Sequence, residues 1–249
     1  MNFFDGEIIA IDKPYGTTSF KVVYTVRNAL TAYMDGRKIK VGHAGTLDPL
    51  ATGLLLVCTG RATKKIEELQ MLDKEYEATL HLGATTASFD MEHPENATFP
   101  TAHITRALVE DTLRKFEGDI LQTPPVYSAC KIDGEHAYHL ARKGRDVQLK
   151  AKPIHIYGIE LLDYAMPEIK IRVHCGKGTY IRALARDIGE ALGSGAYLTA
   201  LRRTRVGQYV ADQSLKPENF AQWLEGIDVE IPEITGVTTN KKQNNNTII

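Results

Sequence analysis

One acid, Asp48, lies in the middle of a stretch, residues 40–53, whose other residues restrict the backbone. Glycines at positions 42, 45 and 53 allow a positive φ or the close approach of another backbone segment. Pro49 fixes its own φ and disfavours the helical region for Asp48, so the carboxylate is predicted to lie on a stiff, extended loop. Rigid polar loops between buried segments often carry catalytic side chains. A structural Asx turn, in which Asp48 bonds its own backbone, fits these residues equally well.

Two further segments combine aromatic and basic residues. Residues 74–83 alternate apolar and polar side chains, which predicts a strand with Tyr76 on its apolar face. Tyr76 is then either a core aromatic at a strand end or a stacking platform for a base. Residues 176–182, Gly-Lys-Gly-Thr-Tyr-Ile-Arg, lead into a predicted helix whose first backbone amides favour an anion. Tyr180 and Arg182 are candidate binding residues, although a packing residue and a surface cation would give the same pattern.

The whole chain has the composition of an ordinary globular protein. It has 249 residues, of which 43% are hydrophobic and 24% charged, which suits one large or two small domains. The net charge is -1, so nucleic-acid binding would need cations gathered on one face. Cys58, Cys130 and Cys175 lack CxxC spacing, which argues against zinc and for a reducing compartment. Because the sequence shows no P-loop, no long apolar run and no signal peptide, we expect a cytoplasmic protein.

Predicted strands and helices are interspersed along the chain, which indicates an α+β fold. Strands are predicted over residues 7–11, 74–83, 118–122, 153–164 and 168–175. Helices are predicted over residues 19–33, 60–72, 105–116, 135–142, 180–192 and 217–224. The apolar residues that recur at helical spacing in the first helix are Phe20, Val23, Val26, Ala29 and Leu30. A loop is predicted over residues 84–104, and disorder is predicted after residue 237.

The segment 123–152 begins with prolines and ends with gathered cations. Arg142, Lys143 and Arg145 lie close together in it, and Lys131 precedes them. This pattern suits a mobile flap that closes on a phosphate backbone. A solvated basic loop is the alternative.

Residues 43–55, His-Ala-Gly-Thr-Leu-Asp-Pro-Leu-Ala-Thr-Gly-Leu-Leu, resemble the catalytic motif of the TruB family. These tRNA pseudouridine synthases modify the uridine at tRNA position 55 in the T-loop, and a match of this length is very specific. The resemblance implies that Asp48 is the catalytic aspartate and that His43 wedges into the T-loop beside the flipped base. Lys-x-Tyr at 74–76 resembles the second motif, which implies that Tyr76 stacks on the target base and is a candidate proton acceptor.

The other family motifs follow in order. The run that ends at Arg182 resembles the third motif, which implies that this arginine pairs with the catalytic aspartate and that Tyr180 lines the uracil pocket. Leu-Arg-Arg-Thr, which begins at Leu201, resembles the segment whose leucine packs against the flipped base. Arg202, Arg203 and Arg205 could face solvent, but we expect one or two of them, Arg202 among them, to contact phosphate. Lys-Pro-x-Gly, which begins at Lys13, resembles the first motif, and we assign this lysine to supporting structure.

Pro-Pro-x-Tyr-Ser-Ala at 124–129 resembles the insertion with which this family grips the T-loop. RNA binding is therefore predicted for four basic residues of the insertion, Lys131, Arg142, Lys143 and Arg145.

The resemblance covers about residues 7–210 and implies the pseudouridine synthase catalytic fold, a mixed, largely antiparallel sheet flanked by helices. We therefore predict a catalytic domain over residues 1–212, with the mobile basic insertion 123–152 inside it. Residues 213–249 are predicted to be a short C-terminal extension, too short for a complete RNA-binding PUA domain.

The implied activity is the isomerisation of uridine 55 of tRNA to pseudouridine. It proceeds by base flipping, aspartate-dependent cleavage of the glycosidic bond and rejoining through carbon. We expect no cofactor and no metal, because no step needs one, and a monomer that binds the T-arm without a protein partner. Two alternatives stay open: a chaperone that binds and folds the tRNA T-arm, and a sister synthase acting on another RNA, such as the box H/ACA guide-dependent type.

Overall fold

A computed structural model describes most of the chain, namely residues 1–128, 131–132, 135–136, 149–232 and 238–241. The chain divides into two compact units. The first unit contains residues 1–71 together with residues from 208 onwards, and the second contains residues 72–207. Each unit is described by itself.

The helices and strands of the described residues are numbered in chain order. The α-helices are α1 (Ser19–Tyr33), α2 (Ile66–Met71), α3 (Arg106–Arg114), α4 (Ile181–Ala191) and α5 (Phe220–Glu225). The strands are β1 (Ile8–Lys13), β2 (Val41–Ala44), β3 (Thr52–Thr59), β4 (Lys74–Leu82), β5 (Ala84–Thr86), β6 (Glu95–Thr98), β7 (Gly118–Gln122), β8 (Lys131–Ile132), β9 (Glu135–His136), β10 (Lys152–Ala165), β11 (Glu168–Cys175), β12 (Ala196–Val206), β13 (Tyr209–Val210), β14 (Val229–Pro232) and β15 (Thr238–Lys241). Short 3₁₀ helices cover Gly60–Lys65, Ala211–Gln213 and Pro217–Asn219.

In the first unit, β3 pairs antiparallel with both β1 and β2. The register sets Ile11 opposite Leu55 and His43 opposite Val57. Strand β3 is apolar along nearly its whole length and is buried. The connection from β2 to β3, which contains Asp48, therefore joins two strands that are fixed in the same core.

Helix α1 packs its apolar stripe into this core. The helix begins after Thr18, whose side-chain oxygen accepts a hydrogen bond from the Lys21 backbone N–H, as an N-cap does. The core joins side chains from the beginning and the end of the chain: Ile9, Ile11, Val22, Val23, Val26, Leu30, Phe220, Leu224 and Val229. The segment after residue 213 thus helps to build the first unit.

Phe20 does not belong to this core, although we predicted it on the apolar face of the helix. It is 68% exposed, whereas Ser19, directly before it, and Val23, three residues later, are buried. Successive residues of a helix point about 100° apart, so a ring one position off the buried stripe faces water.

In the second unit, five strands form a sheet in the order β12, β4, β11, β10, β7. The pairings within this sheet are antiparallel, and β10 and β11, which match the strands predicted over residues 153–164 and 168–175, form a hairpin. Strand β4 alternates buried and partly exposed residues from Lys74 to Leu82, as predicted, and α4 packs against β12 and β4. Parallel bridges join Ile11 to Leu215 in the first unit and Asp90 to Leu198 in the second. The predicted α+β fold with a mixed, largely antiparallel sheet is confirmed.

Two segments differ from the sequence-based prediction. Residues 84–104, predicted as a loop, contain the paired strands β5 and β6. Strand β6 is fully exposed, so it carries no alternating pattern that could have revealed it. The helix predicted from Glu135 is wrong at its start, because β9 pairs with β8 there. The Asp-Gly between these two strands is a sequence signal for a hairpin, which the prediction of a helix overlooked. The rest of the predicted helix, residues 137–142, lies outside the described residues.

The predicted disorder after residue 237 does not hold for Thr238–Lys241. These residues form β15, which pairs antiparallel with β14. Strand pairing uses backbone hydrogen bonds, which polar residues form as well as apolar ones. The polar composition of this segment therefore gave no sign of the strand. Residues 242–249 lie outside the described part of the chain.

Candidate active site

The loop that carries Asp48 has the backbone that its glycines predicted. Gly45 and Gly53 have φ values of 80° and 99°, which strain any residue with a Cβ. A Cβ on Gly42 would lie 2.8 Å from Cδ1 of Ile66, so this glycine permits close packing. The Ala51 N–H donates to the carbonyl of Asp48 over 3.1 Å and closes a turn. Asp48 itself is half-buried.

Lys13 fastens the C-terminal side of this loop. The residue is fully buried, and its ammonium donates to the carbonyl oxygens of Pro14 at 3.0 Å, Thr17 at 2.7 Å and Pro49 at 3.3 Å. The Gly16 N–H donates to the same Pro49 oxygen over 2.9 Å. The residue that follows Asp48 is therefore held by two donors, and the assignment of Lys13 to supporting structure agrees with these contacts.

Ser19 fastens the N-terminal side. Its hydroxyl donates to the carbonyl of Leu47 over 3.0 Å, and the N–H of Leu47 donates back to the hydroxyl oxygen over 2.9 Å. Both partners are buried. Leu47 and Pro49, the two neighbours of Asp48, are thus each hydrogen-bonded to residues in the segment 13–19. The backbone that carries the Asp48 carboxylate is therefore fixed on both sides.

His43 lies on β2, five residues before Asp48, and is half-buried. Its cross-strand neighbour is Val57 of the buried β3. The first unit thus brings His43 and Asp48 together on one hairpin.

The second unit supplies an aromatic and apolar face. Tyr76 on β4 is buried, and the sheet register sets it between Val173 on one side and Arg203 on the other. Leu201 lies opposite Ala78, two residues along, and so shares the face of Tyr76. These two predicted base-binding residues are therefore brought together.

Arg202 lies on the other face. It is opposite Glu77, whose side chain points away from the Tyr76 face because neighbouring residues of a strand alternate. Arg203, which we did not single out, is the arginine on the Tyr76 face, and it is buried. The prediction treated Arg202, Arg203 and Arg205 alike because an arginine-rich run does not reveal its register.

Two basic residues, Lys74 and Arg203, share the face of Tyr76. Lys74, two residues earlier on the same face, is buried, and this burial together with the Arg203 cation lowers the pKa of its ammonium to about 8. Opposite it on β11, burial raises the pKa of the Cys175 thiol to about 11, so the sulfur is uncharged at neutral pH.

Arg182, the second residue of α4, is buried and held on three sides within the second unit. Its Nη1 donates to the carbonyl of Ser88 over 3.1 Å and its Nη2 to the carbonyl of Tyr127 over 2.8 Å. Its Nε lies 3.6 Å from Oδ2 of Asp90. A cation in the first turn of a helix is disfavoured by the helix dipole, so the buried Asp90 carboxylate offsets a real cost.

Asp90 is the functional candidate that the sequence did not reveal. Its Oδ1 accepts hydrogen bonds from the Ser88 hydroxyl at 2.5 Å and the Glu92 N–H at 3.0 Å. The Thr86 hydroxyl donates to its backbone carbonyl over 2.7 Å. The sequence feature that could have pointed to Asp90 is the group of small polar residues shortly before it, Thr85, Thr86 and Ser88. They lie in the segment 84–104, which we predicted to be a loop.

Tyr180 stands immediately before α4 and is half-buried. The Gln122 side chain grips its backbone twice, accepting from the Tyr180 N–H at 2.9 Å and donating to the Tyr180 carbonyl at 3.2 Å. The Thr179 hydroxyl donates to the Gly176 carbonyl at 3.1 Å rather than capping the helix. These hydrogen bonds fix the backbone of the turn before the helix, and with it the position of Tyr180.

Of the four predicted RNA-binding residues of the insertion, only Lys131 lies among the described residues, so their role stays a prediction. Lys131 lies on β8. Arg142, Lys143 and Arg145 lie outside the described residues.

Among the residues that are described, no three His, Cys, Asp or Glu side chains gather as metal ligands would. No helix in the described part of the chain is long and apolar enough to cross a membrane.

Comparison with protein families decides the assignment. Residues 32–181 match the model of the TruB family pseudouridylate synthase N-terminal domain, and residues 182–229 match that of the tRNA pseudouridylate synthase B C-terminal domain. The chain belongs to the TruB family. It is therefore an enzyme that isomerises uridine to pseudouridine in tRNA, which confirms the family, activity and substrate class expected from the sequence motifs.

Individual relatives agree with this TruB family assignment. The tRNA pseudouridine synthase B of Bacteroides fragilis is 61% identical over 233 residues, which are 94% of this chain and 100% of that protein. The protein of the same name from Flavobacterium johnsoniae is 46% identical over 224 residues, or 90% of this chain and 98% of that one.

Among solved structures, the TruB family chain resembles one from the crystal structure of a Cbf5-Nop10-Gar1 complex. The TM-score is 0.67 and the identity 28%, over 90% of this chain and 57% of that one. This chain therefore spans little more than half of that protein's length. The likeness supports the pseudouridine synthase fold.

Proposed function

We propose that this synthase modifies the uridine at position 55 in the T-loop of tRNA, and that it works in the cytoplasm as a monomer bound to the T-arm. The observation that carries this proposal is the support of Asp48. The buried side chains of Lys13 and Ser19 bond the backbone of Pro49 and of Leu47, the two neighbours of Asp48. The sequence of this loop resembles the family's catalytic motif. A purely structural Asx turn would not need a buried lysine to hold the next residue.

The chemistry requires a carboxylate that is fixed in place. Pseudouridine contains the same atoms as uridine, so the N1–C1′ bond breaks, a C5–C1′ bond forms, and the hydrogen lost from C5 is balanced by one gained at N1. Asp48 assists the cleavage, and attack at C1′, attack at C6 and proton removal towards a glycal all need the same carboxylate. Arg182 is the fixed cation of the reaction.

The detached uracil must be held while it turns. Tyr76 and Leu201 share one face of the sheet, which supports their role in stacking on and packing against the flipped base. Tyr76 is also the candidate acceptor of the C5 proton. Tyr180, whose backbone is fixed by Gln122, contributes to the same pocket. His43 wedges into the T-loop beside the base.

Phosphate binding is assigned to the insertion. Lys131, Arg142, Lys143 and Arg145 supply the positive charge that grips the T-arm backbone. Arg202 lies opposite Glu77 on the face away from Tyr76, so any phosphate contact that it makes is separate from base recognition.

Asp90→Asn is expected to lower the rate of pseudouridine formation roughly 100-fold while RNA binding persists. The substitution keeps the shape of the side chain but removes the charge that faces Nε of Arg182, so the guanidinium loses a partner that fixes its position. Single-turnover rates on a T-arm hairpin measure the effect. Asp111→Asn, at an exposed acid of α3, is the matched control. A wild-type rate for Asp90→Asn would remove Asp90 from the site.

The position of the modified base tests the proposal. Purified enzyme, without added cofactor, is incubated with three RNAs: a full tRNA, its isolated T-arm hairpin and the hairpin with cytidine at position 55. We expect one pseudouridine, at position 55, in the first two and none in the third. Product at another uridine would indicate a sister synthase, and binding without any product would indicate a chaperone.

A further inference from the structure

Three large aromatic side chains are exposed at the beginning of the first unit. Phe20 and Tyr24 lie one turn apart on α1 and are 68% and 47% exposed, and Tyr15, in the turn before the helix, is 58% exposed. We call these three residues the aromatic patch. None of the three belongs to the core that α1 builds with its opposite face. Single exposed aromatics are ordinary, whereas three within ten residues suggest a binding surface.

The aromatic patch is joined to the loop of Asp48 by short covalent and hydrogen-bonded links. Tyr15 directly precedes Gly16, whose N–H donates to Pro49 over 2.9 Å. Phe20 directly follows Ser19, whose hydroxyl exchanges hydrogen bonds with both backbone groups of Leu47. The patch therefore lies next to the loop in the chain and its hydrogen bonds, and all of these residues belong to the first unit.

The charges around the patch favour an anionic partner. The Lys21 ammonium lies 5.5 Å from the centre of the Tyr24 ring, in cation–π contact. No acidic residue is present in the first turn of α1, so no carboxylate there offsets the positive end of the helix dipole. Exposed aromatic rings combined with positive charge are the features that bind unpaired nucleotides, by stacking and by phosphate contact.

We propose that the aromatic patch binds unpaired nucleotides of the tRNA next to the target uridine. The rings stack on bases or sugars, and Lys21 contacts the adjoining phosphate. This inference rests on the proposed T-loop substrate and extends it, because it assigns substrate binding to Phe20 and Tyr24, which lie outside the quoted motif residues, and to Tyr15, the unspecified position of the first motif.

The double variant Phe20→Ala/Tyr24→Ala tests the proposal, since truncating exposed rings leaves the core intact. We expect the Kd for the T-arm hairpin to rise about tenfold, because a stacked base contributes measurably to affinity. At saturating RNA, the single-turnover rate should stay within about twofold of wild type. Phe20→Trp should keep the wild-type affinity, because it keeps a stacking surface at this position. The matched control is Tyr157→Ala, which removes a 55% exposed ring from the second unit.

An unchanged Kd in the double variant would overturn the proposal. So would a wild-type dimer, detected by sedimentation, that dissociates in the double variant, because the patch would then bind a second copy of the chain. If the wild type makes no pseudouridine at position 55, yet the Kd still depends on the rings, the patch stands and the proposed function fails. The two failures are therefore distinguishable.

Discussion

Asp48→Asn is expected to reduce pseudouridine formation at least about a thousandfold, which corresponds to about 4 kcal/mol of transition-state stabilisation. The amide has nearly the shape of the carboxylate but can neither attack carbon nor accept a proton at neutral pH. The hydrogen bonds from Lys13 to the Pro49 carbonyl, between Ser19 and the backbone of Leu47, and from Ala51 to the Asp48 carbonyl do not use the carboxylate, so they persist in the variant. RNA binding should be unchanged or slightly tighter, because one negative charge near the phosphates is removed. Single-turnover rates and Kd values for the T-arm hairpin measure both effects.

Asp5→Asn is the matched control for this substitution. Asp5 is an exposed acid of the same unit, in a surface ion pair with Arg61, and its loss should leave the rate near that of wild type. Full turnover by Asp48→Asn would exclude the carboxylate from the reaction and leave the structural Asx turn as its role.

Lys13→Met is expected to lower both the stability and the activity of the enzyme. Methionine has a similar length but no donor, so the carbonyls of Pro14, Thr17 and Pro49 lose a charged partner in one step. We expect the free energy of unfolding to fall by about 2–3 kcal/mol, since some of these oxygens can still reach water. Because Pro49 follows Asp48 directly, kcat should fall as well. Urea unfolding and single-turnover kinetics are the measurements.

Lys216→Met controls for the loss of a lysine, since Lys216 is exposed in the same unit. The two readouts separate two roles for Lys13. A drop in stability together with full activity in the folded fraction would show that the lysine supports the fold without positioning Asp48. Unchanged stability would contradict the hydrogen bonds assigned to its ammonium.

The Asp48 loop could be predicted from the sequence because its causes are local. Gly45 and Gly53 adopt backbone angles that other residues avoid, and Pro49 restricts its neighbour wherever it occurs. The alternation along β4 was equally readable, since one face of that strand is buried from end to end. In both cases a short stretch of residues contains the whole physical reason.

The partners of Arg182 could not be predicted in the same way. Ser88 lies 94 positions from Arg182 in the chain, and the contact exists because the sheet and α4 bring the two segments together. The exposure of Phe20 is a similar case, because helical spacing describes a stripe but does not say which neighbouring stripe the core selects. These features depend on packing partners that are distant in sequence.

The most direct measurement is the amount of pseudouridine at position 55 of one T-arm hairpin after incubation with an equimolar amount of wild-type enzyme or Asp48→Asn, each at a concentration that binds all of the RNA. We predict nearly complete conversion by the wild type and no detectable product from the variant. Equal conversion by the two proteins, or wild-type product at a different uridine, would contradict the assignment of Asp48 to the chemistry of this site.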